Sequence, residues 1–418
     1  MKKFVIISII LLLIGGGAFA YSLKHYIDVK HPQEDTSDEA DADTTEDTTD
    51  SPEAATEADA GTSGGSLSDN GIFSANYDKA KKDVEEMTDE ELVGQLIVGI
   101  SSDADTAKED VKTYSLAGFL FESDAFAYKT DEEIKQSIVG VKKEAKVAPI
   151  IAAQEEGGEK TTVSGSDTYP DHSYDSPRNI LASGGLQEVE KTELDKATFL
   201  HEIGFNLNLA PVVDMPDSSD QIMYSRSLTD DEKVVGDFAK YCSKQVQAKG
   251  LSVALKHFPG YGTIPDTADD EAQANGTAIV DDRKADDIRN KDYSPFKLGA
   301  SEGAHFIMVS NVVVKNIDSV HTAALSSAIH KELRDIVGFT GLIITDVIDD
   351  MDYSAYADGK DVAVAAVLAG NDLILSRNYS TTYNSILSAV QDGTISKDLL
   401  RQICTRIIAY KYTAGLIK

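Results

Sequence analysis

Along residues 76–418, short apolar runs alternate with longer amphipathic stretches. Eight runs have the length and content of buried strands: Gln95–Ile100, Ala117–Phe121, Ala148–Ala153, Asn206–Val213, Ser252–Leu255, Phe306–Val314, Leu342–Thr345 and Asp372–Leu375. Most are apolar at consecutive rather than alternate positions, the pattern of parallel strands covered on both faces. Between them, 131–146, 186–202, 230–249, 323–337 and 359–368 repeat apolar residues at helical spacing, and 395–418 reads as a final packing helix. Eight strand–helix units predict an α/β fold, a (β/α)8 TIM-type barrel over residues 76–418, with a doubly wound open sheet as the alternative. Gly157-Gly158 falls short of a dinucleotide fingerprint, so no nucleotide cofactor is expected.

The amino terminus has a different pattern. Lys2-Lys3 precede an apolar run over residues 4–21 that contains Ala18-Phe19-Ala20. Residues 1–21 therefore read as a signal peptide with an A-x-A cleavage site, or as an uncleaved membrane anchor. Both readings predict an extracytoplasmic body, secreted or held at the membrane. Residues 33–70 are acidic and small, without aromatic side chains, and predict a disordered linker.

Charge narrows the range of partners. The chain of 418 residues carries a net −32. Removing the 13 acidic residues of 34–70 and the +3 of 1–33 leaves −22 on residues 71–418. A body this acidic repels nucleic acid. Its two cysteines, Cys242 and Cys404, fall in helical patterns and are expected as buried, unpaired thiols. No Cys/His spacing suggests a metal site, and the absence of a His-x-His pair argues against a metal-dependent hydrolase.

Polar residues gather just after the strands. Gln154, Glu155 and Glu156 follow the third, and Asp214 follows the fourth, with Arg226 in the loop beyond. Lys256 and His257 close the fifth, in SVALKHFPGYGTIPDTADDE, Asn311 lies within the sixth, and Asp346 ends the seventh. A barrel brings the carboxyl ends of its strands to one mouth. Several buried charges there need mutual pairing, which makes the cluster a candidate site rather than a set of isolated caps.

These residues resemble glycoside hydrolase family 3, in its single-barrel β-N-acetylhexosaminidase branch, over about residues 85–415. The matching segments are GFNLNLAPVVDM (204–215), YSRSL (224–228), ALKHFPGYG (254–262), GFTGLIITDVIDDM (338–351) and AVLAGNDLIL (366–375). The resemblance implies a retaining glycosidase acting on carbohydrate, with cell-wall glycan among the expected substrates and Asp346 as nucleophile. It implies sugar contacts from Arg226, Lys256 and His257, with Gln154 and Asp214 beside them.

Departures from the family pattern are equally specific. The loop histidine that serves the family as acid/base is Ala268 here, which leaves Asp266 as the orphaned partner or a replacement acid, with Asp269, Asp270 and Glu271 on the same stretch. Tyr261, Gln154, Glu159 and Asn311 stand where the family carries His, Asp, Arg and His. Loss of a general acid typically costs about 10²–10⁴-fold in rate. The resemblance thus leaves two readings open, a hydrolase and a sugar-binding scaffold without chemistry.

Overall fold

The computed structural model describes residues 71–164 and 172–418. The expected signal or anchor segment (1–21) and acidic linker (33–70) lie outside the described residues. Among the described residues no helix is long and apolar enough to cross a membrane.

Eight parallel strands form the sheet: β1 (Ile97–Ser101), β2 (Gly118–Phe121), β3 (Ile150–Ala153), β4 (Leu207–Asn208), β5 (Ser252–Phe258), β6 (Phe306–Val309), β7 (Leu342–Thr345) and β8 (Ile374–Ser376). They follow chain order from β1 to β7, and β8 pairs with β1 through Ile97–Ile374, Val98–Leu375 and Gly99–Ser376. A parallel bridge between Ile344 and Leu373 joins β7 to the start of β8 and completes the ring. This closure rejects the open-sheet alternative. Every residue of β1, β2, β3, β5 and β7 is buried, including the polar Lys256 and His257 near the end of β5. Each Ile, Leu, Val or Phe so buried contributes about 1.5–3 kcal/mol.

The fold begins slightly before the expected boundary at residue 76. Phe73 is fully buried and meets the Tyr410 ring edge-on at 5.6 Å. Tyr410 lies in the last helix, Lys397–Thr413, whose other contacts include the Phe306 ring at 4.7 Å and the Ser252 hydroxyl at 3.0 Å. Both partners begin strands, so this helix seals the barrel floor. Cys242 and Cys404 are buried and unpaired, as expected.

Three segments away from the mouth differ from the sequence pattern. The fourth strand holds only Leu207–Asn208 in the ladder, because Asn206 and Asn208 turn their amides to neighbouring backbone. The sixth apolar run divides: Phe306–Val309 stays in the barrel, while Val313–Val314 pairs with Val280–Asp281 in a separate ribbon. Helix Tyr379–Gln391 arises from a polar, β-branched stretch without a strong helical pattern. Its buried Thr382, Ile386, Ala389 and Val390 share one face, so packing overrides propensity there.

Candidate active site

The turn after β3 is built from buried polar groups. Asn208 accepts from the Glu155 amide at 2.8 Å and donates to the Glu155 carbonyl at 3.0 Å. The Glu155 carboxylate accepts from the amides of Thr162 and Val163 at 3.1 and 3.0 Å and from the Ser164 hydroxyl. Lys196, paired with Glu193 at 2.7 Å, donates to the Glu155 and Glu156 carbonyls at 3.3 and 3.0 Å. With backbone held from both sides, Glu156 takes one fixed position at the mouth.

There Glu156 gathers three of the residues singled out in the sequence. Lys256 Nζ lies 2.6 Å from Glu156 Oε1. Arg226 donates through Nε and Nη2 to the two Glu156 oxygens at 2.9 and 2.7 Å, a bidentate fork. The Gln154 amide donates to Oε1 at 3.0 Å. Burial alone pushes the Glu156 carboxyl up, but Lys256 and Arg226 more than offset it and hold it well below the usual carboxylate range.

His257 joins this network to Asp214. Its Nδ1 lies 2.8 Å from Asp214 Oδ2, and its Nε2 lies 3.4 Å from Arg226 Nη2. Arginine only donates, so Nε2 accepts and Nδ1–H donates to Asp214. Asp214 also accepts from the Tyr261 amide at 2.8 Å, which ties the PGYG turn to the strand ends. Gly262 has a positive φ of 49°, and a Cβ there would stand 2.0 Å from the Arg283 guanidinium. Only glycine fits this turn beside Arg283, which Asp281 and Asp292 hold at 2.8 and 3.0 Å.

Asp346 follows β7. Its amide donates to the Val309 carbonyl at 2.8 Å, and its Oδ1 accepts from the Val347 amide at 2.8 Å. Asn311 donates to the Val347 carbonyl at 2.7 Å and so holds the backbone beside it. Asp346 lines a cavity of about 370 Å³ with Tyr261, Asp269, Asn311, Asp350 and Tyr353 among its walls. Its charge reaches Arg226 and Lys256, so the cavity and the cation network adjoin.

The remaining residue from the sequence lies apart. Asp266 is exposed in the first turn of helix Asp266–Asn275, a segment expected as a loop, and is not among the cavity walls. Sequence reasoning missed Glu156 as the hub, although two buried cations implied a buried carboxylate nearby. It also missed Asp350, which sits in a run of acids where no pattern separates a cavity residue from a cap. Among the described residues no group of His, Cys, Asp and Glu side chains could hold a metal ion.

Comparison with known proteins adds a family to this geometry. Residues 87–410 match the Glycosyl hydrolase family 3 N terminal domain. The chain belongs to glycosyl hydrolase family 3. Within this family it is 28% identical over 286 residues to a beta-hexosaminidase of Xanthomonas campestris pv. campestris, covering 67% of this chain and 83% of that one. An uncharacterized secreted glycosyl hydrolase of Arthroderma benhamiae is 28% identical over 269 residues, 62% of this chain and 73% of its own. The solved β-N-acetylhexosaminidase of Beutenbergia cavernae superposes with a TM-score of 0.65 at 27% identity, over 78% of this chain and 99% of that one. The barrel expected from the strand pattern is therefore the family 3 barrel.

Proposed function

We propose that this family 3 chain is an exported, retaining hydrolase of β-linked N-acetylglucosamine or a related sugar, with Asp346 as its nucleophile. The observation that carries the reading is the Asp346 carboxyl in a sugar-sized cavity, bordered by a buried network of Arg226, Lys256, His257 and Asp214. Glu156 takes only part of the hydrogen-bonding capacity of Arg226 and Lys256, leaving N–H groups for sugar hydroxyls. Asp346 attacks the anomeric carbon through an oxocarbenium-like transition state, and water hydrolyses the resulting glycosyl ester. Hexosaminidases among its relatives favour an N-acetylated substrate, and the apolar run at residues 4–21 favours export.

A second reading is favoured by Ala268: a sugar-binding scaffold on the same barrel, with cell-wall glycan as partner. Hydrolysis of 4-nitrophenyl β-N-acetylglucosaminide separates the two. The hydrolase reading expects turnover that falls at least about 10³-fold in Asp346→Asn. It also expects a covalent adduct on Asp346 with a slow fluorosugar, read by mass spectrometry. Sugar binding without turnover on any activated glycoside sinks it in favour of the scaffold.

A further inference from the structure

Retaining hydrolysis needs a second group, one that gives a proton to the departing oxygen and later takes one from water. The cavity offers three carboxyls, those of Asp346, Asp350 and Asp269. Their surroundings differ. Asp269 already accepts from Gln273 Nε2 at 2.9 Å within its own helix. Asp349, next to Asp350, is turned away: it accepts from the Ser376 hydroxyl at 2.8 Å and from the amides of Arg377 and Asn378 at 2.9 and 2.6 Å. Asp350 lines the cavity with Asp346, has no cationic partner, and has the Tyr353 hydroxyl next to it.

A second observation marks this cavity as built for a polar ligand. Tyr261 is 8% exposed and lines the same wall, yet among the described residues its hydroxyl has no hydrogen-bond partner. Burial, followed by the charges of Asp346 and Asp214, pushes its phenol well above its ordinary value, so it remains a donor. The hydroxyl opens onto the cavity, where it is placed to donate to a ligand or to water.

Resting on the hydrolase reading above, we propose that Asp350 is the proton donor and acceptor of this enzyme, in place of the absent loop histidine, and that Tyr261 donates a hydrogen bond to the bound sugar. In the first half-reaction the Asp350 O–H protonates the glycosidic oxygen as the C1–O bond breaks. The electron pair of that bond leaves with the alcohol, and an Asp346 oxygen forms the ester to C1. In the second, Asp350 takes a proton from water, the water oxygen bonds to C1, and the ester bond breaks to return the Asp346 carboxylate. Asp350 suits the role physically. Although the residue is exposed through the cavity, partial burial of its carboxyl, then the charge of Asp346, push its pKa up to about 6. A carboxylic acid in that range is in part protonated near neutral pH.

The test uses the full chain and a series of aryl β-glycosides, of N-acetylglucosamine, glucose and xylose, with phenyl, 4-nitrophenyl and 2,4-dinitrophenyl leaving groups. Asp350→Asn is expected to lose about 10²–10⁴-fold in kcat/KM on the phenyl glycoside and to be spared on the dinitrophenyl one, which departs without a proton. Added azide is expected to speed turnover of the dinitrophenyl glycoside by Asp350→Asn and yield the glycosyl azide, because azide needs no base. Asp350→Glu is expected to keep part of the phenyl activity, and Asp269→Asn to change all three leaving groups alike. Circular dichroism confirms the fold of each variant. An equal loss on all leaving groups, no loss, or leaving-group dependence in Asp269→Asn overturns the assignment while the hydrolase reading stands. No turnover of any glycoside by the native chain overturns the hydrolase reading, and this assignment with it.

Discussion

At the barrel floor, Asp372 accepts from the Ile343 amide at 2.8 Å, from Arg334 at 3.0 Å and from Arg406 at 2.7 Å, and none of these groups faces the cavity. At the mouth, Glu156 has a similar set of partners in Lys256, Arg226 and Gln154, but its network adjoins a cavity with Asp346, Asp350 and the free Tyr261 hydroxyl on its walls. Both clusters bury a carboxylate against two cations or a cation pair with an amide. The floor closes on itself and holds the strand ends to the last helix. The mouth leaves donors and carboxyls unmatched, and that shortfall is what a ligand would supply. Buried charge by itself therefore says little about function; whether the network is complete says more.

Removing either hub tests this contrast with the largest expected effect. Asp372→Asn and Glu156→Gln each strand buried cations, and each is expected to cost about 3–5 kcal/mol in urea unfolding. They part in catalysis. Asp372→Asn leaves kcat/KM of the folded protein unchanged, whereas Glu156→Gln also loses substrate binding as Arg226 and Lys256 shift. Equal kinetic damage from both would erase the distinction between floor and mouth.

A second floor residue sharpens it through pH. Lys411 is fully buried and donates to Gln95 at 2.7 Å and to the Ala117 carbonyl at 3.2 Å. Burial lowers its pKa from 10.5 to about 7. The folded state then binds this proton more weakly than the unfolded chain, so the group penalises folding fully below about pH 7. The penalty fades as pH rises toward 10.5. Lys411→Met is expected to flatten the rise in stability over that window, measured by denaturant unfolding at several pH values. An unchanged slope would assign the pH response elsewhere.

The smallest effect belongs to the rim. His321 bridges Asp318 and Asp358 at 2.9 Å each, tying the connection that carries Asp350 and Tyr353 to the chain after the sixth strand. Burial lowers the His321 pKa, but the two carboxylates outweigh it, and the net shift is upward. A raised pKa means the stabilisation is complete below the ordinary 6.5 and is lost as pH climbs through the folded value. His321→Gln is expected to cost at most about 1 kcal/mol at pH 6, and less as pH climbs through the folded value. Hydrogen exchange of residues 346–361 is the more sensitive readout, and protection factors there that do not change with pH would contradict the tie.

Much of the barrel was legible in advance because its cause is local. A strand covered on both faces is apolar at nearly every position, so LIIT and the LIL of DLIL announce themselves without any tertiary knowledge. The GFNLNLAPVVDM and KHFPG segments, with Asp346 after the seventh run, likewise marked the mouth and the family. Local pattern failed where partners are distant. Asn206 and Asn208 look out of place in a strand until the backbone they bind is seen, and helix Tyr379–Gln391 has no strong pattern until its buried face is packed.

The sequence by itself determined the count of buried strands and the strand ends at which charged side chains gather, since covalent order and burial leave those features little choice. Only the tertiary structure decided that Glu156 is the hub of the cations, that Asp266 stands outside the cavity on a helix, and that Asp350 rather than Asp349 lines the cavity with Asp346. Hydrogen bonding and pKa depend on distances between residues far apart in the chain, and those distances exist only once the ring has closed.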